Sequence, residues 1–440
     1  MRILNRSLPA GLALAAALMA TSACGDDNKG VATADVSGID DSVTSADVAG
    51  DTTAPADTTT PLGAGVEALL DGAPYRLVFG ASGPITVEVP EGTVSISIAV
   101  VGQPGVRYLL DSWSDSAGKV LVTPDWLSGS GSQGGMCTGC ANRIVPSDAA
   151  FSALAPNNPG ATFAAGPHTF AITGFVQKPV VTAGSAVCGD GICHVFDQFQ
   201  CQADCAASGA VGPIEVTVFA KRTVDGLLPD TGVLDLNLHF TGAQGLTATT
   251  AKTDTTFQAS IAEMRTLYAQ VGITLGEIAY RDIDTRYQVI ETFDGPDSDL
   301  IEMFEESAGN DVALNLFFVD ELSAASLGGF GVILGLAGGI PGPPIVQGSP
   351  RSGVAIAVKP VPGAPATYST TMAHEAGHFL GLFHTTEQNQ FGGPALNDPI
   401  PDTPENDARY LMYNTGSGSL ISVQQGVVMR SNPFIRHPAN

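Results

Sequence analysis

The stretch His374-Glu375-Ala376-Gly377-His378-Phe379-Leu380-Gly381-Leu382-Phe383-His384 constrains this chain more than any other. On a helix, residues four apart share a face, so His374 and His378 can hold one ion from the same side. Glu375 follows the first histidine and sits close enough to that ion to hold a water there. Gly381 lets the chain leave the helix in a backbone conformation that side chains resist. The chain can then swing back and deliver His384 as a third ligand. Three imidazoles with an open fourth position are the donor set of a catalytic zinc site; a structural site is closed by four protein ligands. Zinc so held lowers the pKa of water from ~15.7 to about 7. The chain has seven histidines, and three fall within these eleven residues. His168, His194, His239 and His437 stand alone and read as packed or surface histidines.

The spacing H-E-x-x-H-x-x-G-x-x-H resembles the zinc site of the metzincin metallopeptidases. That clan carries a methionine turn beneath the metal, and Leu411-Met412-Tyr413-Asn414 is similar to it. Asp402-Thr403-Pro404 after the third histidine, and the closing stretch Ile421 to Met429, resemble the pappalysin (cytophagalysin) family. The resemblance runs from about Pro213 to the C-terminus. It implies a zinc endopeptidase acting on extracellular proteins, with Glu375 as general base and Met412 packed under the ligands. In that family a tyrosine stands two residues after the turn methionine. Here Tyr413 follows Met412 directly and Asn414 holds the family position, so Tyr413 is a candidate for the oxyanion or substrate role, or a plain aromatic beside the site. Asp398 and Asp402 are candidates for binding calcium, or for fixing the loop after His384 by turn chemistry. A reading from another class is a surface-anchored binding or adhesion lipoprotein with an inactive peptidase domain; an intact Glu375 counts against it.

At 440 residues the chain is long enough for two or three cores. A net charge of −25 argues against nucleic acid, because phosphate binding needs clustered Lys and Arg. Residues 1–23 read as an export signal: Arg2 and Arg6, then an apolar run from Leu8 to Met19 too short to span a bilayer. Thr21-Ser22-Ala23-Cys24 resembles a bacterial lipoprotein cleavage site, with Cys24 lipidated; cleavage after Ala20 or Ala23 and free secretion is the alternative. Membrane contact would be through that anchor alone, on a bacterial cell envelope. Residues 24–62 read as a disordered acidic tether: from residue 25 on, eight aspartates against Lys29 leave a charge of −7, with almost no large apolar residue.

Residues 63–184 show short alternating runs, such as Pro84 to Val89, Val94 to Val100, Tyr108 to Trp113 and Thr169 to Phe175, which predict an all-β sandwich. Cys137 and Cys140 within it suit a small disulfide loop. Residues 185–206 carry Cys188, Cys193, Cys201 and Cys205, a disulfide-rich module too short to build a core. Its aspartates (Asp190, Asp197, Asp204) make it a loose calcium candidate. Seven cysteines less Cys24 leave an even six.

Residues 207–440 are expected to form an α/β domain of metzincin type, with a mixed twisted sheet and the zinc helix. Ile214 to Ala220 and Val233 to Phe240 read as strands. Thr253 to Val271 reads as a helix with Phe257, Ile261, Met264 and Tyr268 on one stripe, capped by Thr253 or Asp254. Leu300 to Ser307 reads as a second, shorter helix. Val312 to Val319 is apolar on both faces and reads as a central strand. By resemblance, Gly353 to Val358 is the edge strand that pairs with an extended peptide substrate, and Ser369 to Thr371 supply the N-cap of the zinc helix.

Overall fold

The computed structural model describes residues 65–78, 80–123, 142–176, 212–223, 225–323, 333–359, 368–387 and 396–437, with a short strand pair at 132–133 and 136–137. The export signal, Cys24, the acidic tether, the Cys137/Cys140 side chains and the cysteine-rich module lie outside the described residues. The described part is rich in β-structure, with several sheets and few helices.

Eight strands build the body of the sandwich: β1 (Val66–Leu77), β2 (Ala81–Val89), β3 (Thr93–Val101), β4 (Val106–Ser114), β5 (Val120–Val122), β6 (Ala150–Ala155), β7 (Gly166–Val176) and β8 (Gly212–Arg222), with the two-residue strand Ser147–Asp148 paired to β4. One sheet runs β1-β8-β3-β6 and the other β2-β7-β4-β5. In β2, Ile85, Val87 and Val89 are buried while Thr86 and Glu88 are exposed, the alternation of a strand with one face to a core. Trp113, Tyr108, Phe151, Phe170 and Phe175 fill the space between the sheets.

Strand β8 corrects the domain boundary expected at residue 207. The sequence pattern places it with the C-terminal domain, but it lies between β1 and β3, antiparallel to both. The reason is that its sheet is covered on both faces. Ile214, Val216 and Val218 enter the sandwich core. From the opposite face Ser95 and Lys221 reach the C-terminal domain, and Leu154 joins that domain's core. Ser95, Ser97 and Lys221 alternate with apolar residues and so read as a solvent face, yet each is at most 1% exposed.

The second sheet takes β9 (Gly232–Phe240), β10 (Ile273–Asp282), β11 (Leu314–Val319), β12 (Gly335–Ala337) and β13 (Val354–Ala357) in the order β10-β9-β11-β13-β12. The first four are parallel and β12 is antiparallel to β13, so the sheet is mixed. Helix α1 (Thr255–Ala269) starts at Asp254, whose carboxylate accepts from the Phe257 N–H at 2.8 Å. Its buried stripe, Phe257, Ile261, Met264 and Tyr268, packs toward the sheet and helix α3 (Tyr368–Phe379). The Tyr268 hydroxyl donates to the Ala373 carbonyl at 2.9 Å, tying α1 to the helix that carries the first two histidines. Between them in sequence lies the short helix α2 (Asp299–Glu305), where Leu300 to Ser307 was expected.

Strand β11 is buried throughout, as its two apolar faces predict. The edge strand is a correction. β13, expected at the edge, lies between β11 and β12; the edge is Gly335–Ala337, short and glycine-flanked, which carries too little β-pattern to be read from sequence. Helix α4 (Val423–Ser431) opens with a capping box between Ser422 and Gln425, and β14 (Ile435–Arg436) pairs with the start of β9.

Candidate metal centre

Helix α3 is buried along almost its whole length, and His374 and His378 project from one face of it. Ser369, Thr370 and Thr371 lie inside its first turn and do not cap it, because the helix already includes Tyr368. The helix ends at Gly381, whose φ of +111° is the left-handed region that glycine tolerates. Gly381 N–H donates to the His378 carbonyl and Leu382 N–H to the Gly377 carbonyl, both at 2.9 Å. That tight turn brings His384 back over the helix.

The three Nε2 atoms converge. His384 Nε2 lies 3.1 Å from His374 Nε2 and 3.1 Å from His378 Nε2. His374 Nδ1 lies 2.7 Å from the Leu411 carbonyl and His378 Nδ1 2.7 Å from the Leu382 carbonyl, so each ring holds its proton on Nδ1. Two unprotonated Nε2 atoms thus face His384 Nε2, and a cation between the three rings would suit this donor set. Tetrahedral zinc with bonds of about 2.0–2.1 Å sets its nitrogens roughly 3.4 Å apart, so the donor set fits that ion. Among the described residues, this is the group of metal-ligating side chains that could hold a metal. Burial, with His384 and His374 alongside, holds the His378 imidazolium well below its usual range, and a neutral ring is the form that binds metal.

Glu375 is buried beside the histidines and accepts from the Ala337 N–H at 3.1 Å. Burial raises its carboxyl to about 7, while His384 and the Ala337 N–H act to lower it. A carboxyl in that range is suited to exchange protons near neutral pH. The edge strand passes very close: a β-carbon on Gly335 would lie 2.5 Å from Glu375 Cγ. Hydrogen bonds from Ala357 N–H to the Leu334 carbonyl and from Gly338 N–H to the Gly353 carbonyl fix the register of β12. The backbone groups of Gly335 and Ala337 consequently face the open edge, toward Glu375.

Met412 is fully buried beneath α3, and a β-carbon on Gly377 would lie 2.7 Å from its sulfur. The turn holds two ligands at once: the Leu411 carbonyl takes His374, and the Met412 carbonyl accepts from Thr385 N–H, next to His384, at 2.8 Å. Tyr413 is half-buried and bonded through its backbone to Tyr410 and Gly416; its hydroxyl makes no hydrogen bond to a histidine or to Glu375 among the described residues.

The two aspartates make turn and cap hydrogen bonds. Asp402 accepts from the Ser422 hydroxyl at 2.6 Å and the Gln424 N–H at 3.1 Å, so both its oxygens serve the N-terminus of α4. Asp398 accepts from Ile400 N–H and the Thr403 hydroxyl through one oxygen; the other is buried without a hydrogen-bond partner. Burial pushes the Asp398 carboxyl up to about 7, against the lowering effects of Thr403, Ile400 and Arg143. Arg143, a sandwich residue, is near enough for its charge to lower that carboxyl slightly. Arg143 is 3% exposed and its guanidinium stands 4.1 Å from the centre of the Phe383 ring. Sequence reasoning missed Arg143, because nothing in its own neighbourhood marks a residue that crosses between domains.

The two domains share further contacts. Lys221 donates to the carbonyls of Arg430, Asn432 (3.0 Å) and Ile435 (2.6 Å) at the end of α4. Arg351 donates to the Asp148 carbonyl at 2.9 Å and pairs with Asp294, which also pairs with Arg107 at 2.9 Å.

No protein-family model matches this chain, and no curated protein does. Part of the chain is similar to the crystal structure of metalloproteinase-II from Bacteroides fragilis, at 16% identity and a TM-score of 0.28. That match covers 46% of this chain and 52% of the other, so the chain spans about half the length of that metalloproteinase. At that level of likeness, the ground for function is the geometry of the three histidines and Glu375.

Proposed function

We propose that this chain is a zinc-dependent endopeptidase of metzincin type, exported from a bacterium, that hydrolyses peptide bonds of extracellular proteins. The observation that carries the reading is the convergence of three Nε2 atoms beside one buried carboxylate. Zinc, when bound, supplies a Lewis acid that polarises a carbonyl and water. His374, His378 and His384 would hold it. Glu375 takes a proton from the attacking water and returns it to the leaving amine. An extended peptide would add to the open edge at Gly335–Ala337, its carbonyls and N–H groups meeting those that face Glu375. The mixed sheet, the antiparallel edge strand and Met412 beneath the ligands favour the metzincin class and, within it, the pappalysin-like reading of Asp402-Thr403-Pro404. Anchoring through Cys24 and a purely loop-fixing role for Asp398 and Asp402, with zinc and no calcium, complete the proposal.

The test uses the mature full chain and its Glu375→Ala variant, with zinc content by atomic absorption and cleavage of casein. One zinc per chain in both, with cleavage only by the wild type, supports the reading. A folded wild-type chain that takes up no zinc would overturn it.

A further inference from the structure

The catalytic-type domain does not hold its third ligand alone. His374 and His378 are fixed by the helix, whereas His384 stands on a turn. Within its own domain that turn is tied through backbone groups at Gly381, Leu382 and Thr385. The side chains that cover it come from both domains, Val428 and Ile340 from its own and three from the sandwich. Leu154 of β6 sits where a β-carbon on Gly381 would lie 3.0 Å from its Cδ2. Val145, with Ile340 of the C-terminal domain, packs on Phe383, the residue before His384. Arg143 lies over the Phe383 ring and acts on Asp398, whose own N–H reaches the Thr385 carbonyl at 3.3 Å.

Arg143 is presented by a rigid mount. Its N–H donates to Asn157 Oδ1 at 2.9 Å, its carbonyl accepts from Asn157 Nδ2 at 2.6 Å, and Asn157 N–H donates to Asn142 Oδ1 at 3.1 Å. All three bonds are buried. A buried guanidinium is costly unless its surroundings favour the charge. The Phe383 face, 4.1 Å from the guanidinium carbon, is one such surrounding.

We infer that Arg143 is a positioning residue for the metal centre: the sandwich, through Arg143 on Phe383, sets the placement of His384, and the site is a composite of two domains. The inference rests on the zinc reading given above. Residues that orient metal ligands without touching the metal change affinity by about 10–100-fold when removed. Arg143 acts one step further out, so the lower end of that range is expected.

The experiment uses the full mature chain carrying Arg143→Met, Arg143→Lys, Phe383→Leu, and the Arg143→Met/Phe383→Leu pair. The readouts are the rate at which loaded zinc is lost to a chromogenic chelator, kcat and KM for casein, and the circular dichroism of each variant. Arg143→Met is expected to lose zinc about tenfold faster, with kcat lowered and KM changed by less than about twofold. Arg143→Lys, which keeps the charge without the planar face, falls between it and the wild type. Phe383→Leu matches Arg143→Met, and the pair adds little to either, because both remove one contact. Zinc loss at the wild-type rate in a folded Arg143→Met chain overturns the inference, as does full additivity in the pair. If Arg143→Met does not fold, wild-type rates in both Arg143→Lys and Phe383→Leu overturn it. A wild-type chain without zinc would instead remove the zinc reading on which it stands.

Discussion

The Met412 sulfur occupies the space that a side chain on Gly377 would need: a β-carbon there would lie 2.7 Å from it. Gly377 lies between His374 and His378, so a methionine from a distant turn touches the helix midway between two ligands. Alanine ordinarily gains about 1 kcal/mol over glycine inside a helix. Overpacking a full core costs about 1–3 kcal/mol, and Met412 is fully buried. Gly377→Ala is therefore expected to lower stability despite its better helix propensity, and to speed zinc loss. Urea melts and chelator competition on the same preparation measure both.

Asp398 predicts a pH dependence. Its carboxyl is raised by burial from the model-peptide value of 3.8 to about 7. Between those values the folded chain holds a proton that the unfolded chain has released, so this group makes stability fall as pH rises through that window. Above about 7 the loss is complete. Asp398→Asn lacks the titration, and its curve of urea midpoint against pH should be flatter between pH 4 and 7. The variant should equal or exceed the wild type at pH 8. Parallel curves for the two proteins would show that the carboxyl is not raised.

Lys221 should be a major tie between the domains. Three buried carbonyls at the end of α4 take its ammonium. Lys221→Met keeps the stem and strands those acceptors, at a cost of about 1–3 kcal/mol for a buried polar group left unpaired. The urea midpoint should drop at unchanged slope if the whole structure unfolds as one unit.

A chain cut to residues 225–440 should fail to give a cooperative folded domain. It lacks Lys221, Leu154 and Arg143, and it exposes a surface that these side chains cover. The expected result is a broad or absent thermal transition and poor zinc retention. A sharp transition near that of the full chain would show the C-terminal part to be autonomous.

The local pattern made much of this legible. His374, His378 and His384 come together where their spacing places them, because helix periodicity and one glycine turn bring the three near one another. Met412 lies under them, and the stripe from Phe257 to Tyr268 is buried as drawn. Less legible was everything that depends on a second element. Gly335–Ala337 is too short to show alternation, so the edge was assigned to its neighbour. Ser95, Ser97 and Lys221 look like the wet face of a strand and are instead the dry interface of two domains. Asp398 reads from sequence equally as an ion ligand or a turn residue, and Arg143, whose charge lowers its carboxyl, lies far off in sequence.

Strand β8 has a temporal consequence. A chain made from its N-terminus presents β1, β3 and β6 first, but the strand that lies between β1 and β3 comes only at Gly212–Arg222. Lys221 then waits for carbonyls between Arg430 and Ile435. The helix with His374 and His378 likewise emerges before Phe434, against which its Phe379 packs. Assembly thus runs backward from late residues onto early ones. A nascent chain therefore holds an unfinished three-histidine site, completed only after synthesis has passed the last of these contacts.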